Sequence, residues 1–167
     1  MNLDQINHWS DEQAREAFSR CCGSVRWSDS LAAGRPFASE TALLESAERI
    51  WWELSEDDWL EAFSAHPRIG DLDSLRAKFA ATAAWASHEQ SGTHGAPEEI
   101  LERLAIGNRR YEERFGFIYI VFATGKTATE MLALLEERLM NDRAAELRIA
   151  AREQLLITRL RLQRSTS

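Results

Sequence analysis

The sequence predicts an all-α fold, a compact single-domain bundle of about eight helices with irregular breaks. Three observations support this prediction. Apolar residues recur at three- and four-residue steps through most of the chain. Helix-capping residues precede several of these runs. Only residues 117–123 (FIYIVFA) have strand-like content, and one strand without a partner cannot satisfy its backbone hydrogen bonds. We therefore interpret that run as a buried connection or the start of a helix.

The first predicted helix begins with a capping box. Ser10 and Gln13 have the spacing in which each side chain bonds the other's backbone N–H, and Gly23 is a plausible end. Residues 23–38 contain few regularly spaced apolar positions, so we predict a loop there. Ser39 begins a second helix, whose apolar positions recur at helical steps.

A short third helix ends at the sequence AHPRIGD (residues 65–71). Ser55 begins it, and acidic residues fill its first turn, where the helix dipole favours them. It ends near His66, because the residue before a proline is pushed out of the helical region and Pro67 follows. Histidine titrates near neutrality. A histidine held in this way suits proton transfer, and a capping or hydrogen-bonding role is the alternative.

The C-terminal half predicts four more helices. The residues that begin them are, in chain order, Asp71 or Asp73, Pro97, Thr127 and Asp142. Gly92 and Gly116 end the first two, and the last runs to about Gln163.

Composition limits the possible functions. The chain has 167 residues, 44% of them hydrophobic, a net charge of −7 and a pI near 5.2. That length suits one domain over residues 1–167, and the acidic balance argues against a nucleic-acid partner. No apolar run reaches the ~20 residues of a membrane span. The adjacent Cys21 and Cys22 are poorly placed for a disulfide, which favours a cytoplasmic location.

Two motif fragments lack residues that their chemistry needs. Residues 123–127 (ATGKT) resemble a phosphate-binding loop, but position 120 is Ile instead of Gly. His88 and Glu89 resemble a zinc-protease helix, but the second histidine would fall on Gly92. We therefore predict no metal site, and we expect the six tryptophans to pack in the core.

Several ordered stretches together resemble a known enzyme family. After AHPRIGD come WASHEQSG (85–92), NRRYEERFGFIYIVFATGK (108–126), RLMND (138–142) and ITRLRL (157–162). Together they resemble the 2-oxo-4-hydroxy-4-carboxy-5-ureidoimidazoline (OHCU) decarboxylases of purine catabolism, over residues 5–163. The resemblance implies an all-helical, cofactor-free and commonly dimeric enzyme. Its small-molecule substrate, OHCU, would be converted into (S)-allantoin and carbon dioxide.

The resemblance also implies a set of site residues. The histidine of an HPxxG motif falls on His66 as the acid–base residue, and the carboxylate of an SxxEQ motif falls on Glu89. The arginine of a C-terminal KIxxLRL motif falls on Arg161, although Leu156 replaces the usual lysine. The implied substrate-binding positions are Pro67, Ala86, Ser87, His88, Gln90, Tyr119, Ile120, Val121, Phe122 and Ala123.

This site requires an interruption of the helical chain. His66 and Glu89 are 23 residues apart, which is roughly 30 Å along a straight helix. We predict a break near residues 82–84. Two other functions stay open at this point: a metal hydrolase that uses His66, His88 and Glu89, and a non-catalytic helical interaction module.

Overall fold

The computed structural model describes residues 2–67, 72–86 and 97–166, with the side chains of 80–86 and 166 left out. These residues form nine helices and no strand, which confirms the all-α prediction. The helices are α1 (Leu3–His8), α2 (Asp11–Ser19), α3 (Val25–Ala33), α4 (Glu40–Glu53), α5 (Glu56–Ser64), α6 (Leu72–Ala86), α7 (Glu98–Phe115), α8 (Ala128–Arg138) and α9 (Arg143–Thr166).

The chain divides into two compact units. The first contains Met1–His66 and Ala151–Ser167, and the second contains Pro67–Ala150. Helix α9 begins in the second unit and continues into the first.

Five of the predicted helix starts are confirmed by their hydrogen bonds. The side chains of Ser10, Ser39, Ser55 and Thr127 each accept a bond from the backbone N–H three residues later. Asp142 does the same for the Ala145 N–H at the start of α9, at 2.9 Å. These caps satisfy N–H groups that have no partner inside the helix.

The prediction of a loop over residues 23–38 is wrong, because α3 occupies Val25–Ala33. Ser24 caps this helix, and its hydroxyl accepts a bond from the Trp27 N–H. Trp27 and Leu31, four residues apart, are fully buried on one face. This helix is only nine residues long, so tertiary packing and not sequence periodicity stabilises it. Helix α1 was likewise not predicted.

Buried tryptophans organise the first unit. Trp27 donates its indole N–H to the Ala47 carbonyl at 3.0 Å, and Trp51 donates to the Ala151 carbonyl at 2.9 Å. Trp59 donates to the carbonyl of Trp51 at 2.9 Å. Each buried indole therefore has a polar partner, and the prediction that tryptophans pack in the core is confirmed for these three. Trp52 is 39% exposed.

Helices α6, α7, α8 and the start of α9 form the second unit. Gly107 on α7 lets this helix approach α8, since an added Cβ would lie 2.6 Å from Leu135 Cδ2. Gly116 ends α7 with a φ of 80°, as predicted. Residues 117–123 form an irregular connection in which Phe117 and Ile120 are buried, and so the run is a buried connection and not the start of a helix.

The predicted break near residues 82–84 is wrong. Helix α6 is continuous from Leu72 to Ala86. A helix interruption occurs earlier, at His66 itself, because α5 ends at Ser64 and neither His66 nor Pro67 belongs to a helix. Pro67 explains this, since it restricts the residue before it to extended backbone. In the described part of the chain, no helix is long and apolar enough to span a membrane.

Candidate active site

His66 is held where α5 ends. Ala65 is the C-cap of α5, and the His66 N–H donates to the Phe63 carbonyl at 3.1 Å. Its imidazole is half-buried, and Nε2 lies 2.5 Å from Oε1 of Gln154. The ring is therefore fixed by a side chain 88 residues away in the sequence.

Helix α9 supplies the polar partners of His66. Gln154, Thr158 and Arg161 follow one another at four- and three-residue steps, so they lie on one face of the helix. The Gln154 amide is completely buried and donates from Nε2 to Oγ1 of Thr158 at 3.1 Å. Thr158 also hydrogen-bonds the buried thiol of Cys22. We call His66, Gln154, Thr158 and Cys22 the histidine chain.

The histidine chain is neutral at pH 7. Burial lowers the pKa of His66 below its usual value of 6.5; the Gln154 hydrogen bond opposes this, and the Arg161 guanidinium lowers the pKa further. Burial raises the pKa of Cys22 to about 11, although hydrogen bonds from Ser24 and Thr158 oppose the rise. His66 can therefore accept a proton at neutral pH.

Arg161 lies close enough to act on His66 electrostatically. Its half-buried side chain donates from Nη1 to the Cys21 carbonyl at 3.2 Å. It also lines a cavity of about 460 Å³ with Arg20, Arg164 and Trp9. Arg20 is paired with Glu16, which belongs to the same lining. An anionic group entering beside Arg161 would meet a positive surface.

The second unit holds the predicted backbone-lining segment, Tyr119 to Ala123. Arg138, which is only 6% exposed, donates from Nη1 to the Ile120 carbonyl at 2.7 Å. Its guanidinium also lies 4.7 Å from the centre of the Tyr119 ring. Further along, Lys126 donates from Nζ to the Phe122 carbonyl at 2.7 Å. Side chains thus fix two backbone carbonyls of the segment.

A buried ion pair anchors Arg138 in turn. Its Nε donates to Oε1 of the fully buried Glu146 at 2.6 Å, and the hydroxyl of Tyr111 donates to the same carboxylate oxygen. We call Tyr111, Arg138 and Glu146 the arginine cluster. Burial works against the charge of Arg138, but its phenolic and carboxylate neighbours leave its pKa above the ordinary value. Burial raises the pKa of Tyr111, so its hydroxyl stays protonated and can donate.

The structure locates some of the predicted site residues. His66 and Arg161 belong to the first unit, where they interact electrostatically. Pro67 follows His66 and is exposed. Ala86 is the last residue of α6. Tyr119, Ile120, Val121, Phe122 and Ala123 form the connection between α7 and α8 in the second unit. Ser87, His88, Glu89 and Gln90 lie outside the described residues.

Three polar residues have no role assigned from the sequence, although Arg138 and Thr158 belong to the RLMND and ITRLRL stretches. Gln154 and Thr158 interrupt the buried face of α9, and Arg138 lies on α8 among buried leucines. The signal that could have found them is a polar side chain at a helical position predicted to face the core. Such residues are rarely buried without a specific partner.

Comparisons with known proteins agree on one family. The family model described as OHCU decarboxylase matches residues 7–163. The chain is 38% identical over 154 residues to the uric acid degradation bifunctional protein TTL of Arabidopsis thaliana, covering 90% of this chain and 47% of that protein. It is 30% identical over 169 residues to the 2-oxo-4-hydroxy-4-carboxy-5-ureidoimidazoline decarboxylase of Amia calva, covering 98% of this chain and 93% of that one.

A solved structure gives the same answer. A crystal structure of OHCU decarboxylase in the presence of (S)-allantoin superposes with a TM-score of 0.72 at 34% identity, covering 95% of this chain and 99% of the other. The chain thus spans about half of the bifunctional Arabidopsis relative, but nearly all of the Amia decarboxylase and of the solved decarboxylase.

Proposed function

The chain belongs to the OHCU decarboxylase family, and from this premise we propose that it converts OHCU into (S)-allantoin and carbon dioxide. The family and the enzyme class, a carboxy-lyase, are as predicted from the sequence. The observation that carries the proposal is the match over residues 7–163, since it includes both His66 and Arg161. The neutral, half-buried imidazole beside a guanidinium supports it chemically.

The reaction explains which groups the protein must supply. The bond from the ring carbon to the carboxylate breaks, carbon dioxide leaves, and the electron pair moves into the adjacent ring C=N. The hydroxyl on the same carbon becomes a carbonyl as its proton is removed, and the neighbouring ring carbon gains a proton. The nitrogen of the former C=N, which received the electron pair, also gains a proton, so one proton is taken up from water overall. The ring itself accepts the electron pair, so the reaction can proceed without an added cofactor.

Each proposed residue then has a separate role. His66 removes the hydroxyl proton, because its lowered pKa keeps it unprotonated at neutral pH. Arg161 orients an anionic or carbonyl group of the substrate through its planar fork of N–H donors. Glu89 polarises the ureido or ring N–H groups and relays the proton, and the Gln90 amide holds the substrate beside it. Backbone groups of Tyr119–Ala123 bind the remaining polar groups of the ring.

Chiral product formation tests the proposal. OHCU is generated fresh from urate with urate oxidase and hydroxyisourate hydrolase, and allantoin is followed by circular dichroism. Spontaneous decay gives a racemate, so the active protein produces an (S) excess. No excess above the protein-free reaction would refute the proposed activity.

Substitution of His66 separates its role from folding. His66→Asn should lower kcat by at least about 100-fold, because the acid–base group is lost. The matched control is His8→Asn, on exposed His8 of α1, which should keep full activity. A His66→Asn variant with a near-normal rate would remove the acid–base role.

Arg161 has a matched control on the same helix. Arg161→Lys should raise KM or lower kcat, because lysine cannot reproduce a planar fork of donors. Arg159→Lys changes a neighbouring arginine that pairs with Glu48 and should behave as wild type. If both variants were equally active, Arg161 would have no role in binding the substrate.

We also propose that the enzyme acts as a homodimer in the cytoplasm. The family resemblance supports the dimer, and the free thiols of Cys21 and Cys22 are compatible with a reducing compartment. Light scattering coupled to size exclusion would give the mass in solution. A mass near the 19.0 kDa of one chain would exclude the dimer.

A further inference from the structure

Among the described side chains, only Gln154 hydrogen-bonds both the ring of His66 and the hydroxyl of Thr158 on α9. It is completely buried, whereas the imidazole it contacts is half-buried. Burying an amide costs free energy unless both its oxygen and its nitrogen have hydrogen-bond partners. Gln154 meets this need with His66 on one side and Thr158 on the other.

The orientation of this amide follows from the chemistry of an acid–base residue. With Oε1 towards His66, the amide accepts a hydrogen bond from Nε2–H in both the neutral and the protonated imidazole. With the NH₂ group towards His66, two N–H donors would face each other whenever His66 gained a proton. Only the first orientation is compatible with both protonation states. It also lets the Gln154 NH₂ group donate to Thr158, as observed.

We propose that Gln154 is a positioning residue that fixes His66 in its Nε2–H tautomer, so that Nδ1 is the ring nitrogen that exchanges a proton with the substrate. In a neutral imidazole only one nitrogen carries a lone pair in the ring plane. If Nε2 keeps its proton for Gln154, then Nδ1 is the basic atom. The role of Nδ1 rests on the proposed function, whereas the tautomer does not.

Thr158 and Cys22 complete the positioning. The hydroxyl of Thr158 holds the Gln154 amide from the far side, and the Cys22 thiol bonds the same hydroxyl. Both residues are buried. Gln154 is therefore held from both sides. A fixed amide imposes one tautomer on the imidazole, whereas an amide free to rotate could turn either its oxygen or its nitrogen towards the ring. Arg161, on the same helix as Gln154 and Thr158, also acts on His66 electrostatically.

The tautomer can be read directly by nuclear magnetic resonance. With ¹⁵N-labelled histidine, the nitrogen shifts show which ring nitrogen carries the proton, and His66→Asn assigns the signal among the four histidines. At neutral pH we expect a single Nε2–H form. We also expect its proton to be visible in water, because the hydrogen bond to a buried amide slows exchange. A neutral Nδ1–H form in the wild type would overturn the proposal.

Variants of Gln154 test its causal role. Gln154→Leu removes the acceptor, so the Nε2–H signal should be lost and kcat should fall by about 10- to 100-fold, as for other residues that orient a functional histidine. Gln154→Glu keeps an acceptor oxygen and should keep the proton on Nε2. An unchanged Nε2–H signal and an unchanged kcat in Gln154→Leu would overturn the proposal.

Two further variants control for folding. Ser28→Ala removes a different buried hydroxyl, which bonds the Ser24 and Val25 carbonyls, and it should leave the signal and kcat unchanged. If Gln154→Leu fails to fold, Thr158→Val tests the same idea: it frees the amide while keeping the acceptor, and should weaken the signal partially. A full Nε2–H signal in Thr158→Val would show that Thr158 and Cys22 do not help to position the Gln154 amide.

The experiments distinguish failure of the positioning role from failure of the decarboxylase activity. The tautomer is measured without substrate, so a wild-type protein that yields no chiral allantoin would refute the decarboxylase activity and leave the tautomer result intact. An active wild-type protein whose Gln154→Leu variant keeps its signal and kcat would refute the positioning role alone.

Discussion

Each of the two units buries a polar network, and the two networks differ in charge. The arginine cluster contains an ion pair between side chains that are 7% and 0% exposed. The histidine chain contains hydrogen bonds between groups that are neutral at pH 7. Both networks join residues that are far apart in the sequence or lie on different helices.

The difference in charge matches a difference in what each network does. A buried ion pair keeps its charges, because losing one partner would leave the other unpaired in a medium of low dielectric constant. It is therefore suited to holding backbone, as Arg138 holds the Ile120 carbonyl. The neutral hydrogen bonds of the histidine chain allow the charge of His66, at its end, to change. The half-buried His66 can gain and lose a proton while Gln154 stays in place.

The largest stability effect should come from breaking the ion pair. Arg138→Met leaves Glu146 buried without its partner, and we expect the free energy of unfolding to fall by about 3–5 kcal/mol. Urea denaturation measures this loss. The matched control is Arg103→Met, which breaks a pair with Glu136 whose side chains are about half exposed, and should cost less than ~1 kcal/mol. Equal losses in both variants would mean that burial does not distinguish the two pairs.

An intermediate effect should come from a glycine beside the histidine chain. A Cβ added to Gly23 would lie 2.3 Å from Cβ of Ala65, the residue before His66. Because that atom is fixed to the backbone, Gly23→Ala must shift the end of α5, and we expect a loss of ~1–3 kcal/mol together with lower kcat. Gly107→Ala instead meets Cδ2 of Leu135, a side-chain end that can shift more than a Cβ, so it should cost less and leave kcat unchanged. The opposite order of losses would contradict this account.

The smallest effect should be the pH dependence that His66 contributes. Its pKa is lower in the folded chain than the usual 6.5, so the unfolded chain binds more protons between the folded value and 6.5. Stability therefore falls as the pH drops through that window, and it is unaffected by His66 above it. The free energy of unfolding should therefore depend more strongly on pH in the wild type than in His66→Asn across this range. If the wild type instead gained stability on acidification relative to the variant, the pKa of His66 would be raised in the folded chain and not lowered.

Prediction from the sequence succeeded where the signal is local. The caps at Ser10, Ser55 and Thr127 and the end at Gly116 depend on residues within one turn of the helix boundary. The prediction failed for α3, because a nine-residue helix between Gly23 and Gly34 carries too few apolar positions for a periodic pattern. Its stability comes from burying Trp27 and Leu31 against other helices.

The candidate site shows the same division. His66 and Arg161 are proposed as site residues from motifs, because a motif preserves residue types at fixed spacing. Gln154 is not, because nothing local distinguishes it from any other glutamine on a helix. Its importance arises from a contact with a residue 88 positions away. Likewise, only the structure shows that Arg138 donates to the backbone between α7 and α8.

The sequence by itself determined the helical class, most helix boundaries, the family and the residue types available for chemistry, because these depend on short-range periodicity, capping and ordered motifs. The tertiary structure decided which of those groups are buried, which ones bond each other and which stay neutral. Burial and long-range hydrogen bonds set these properties, and they exist only once distant segments have packed. The lowered pKa of His66 is a property of that packing and not of the HPxxG motif.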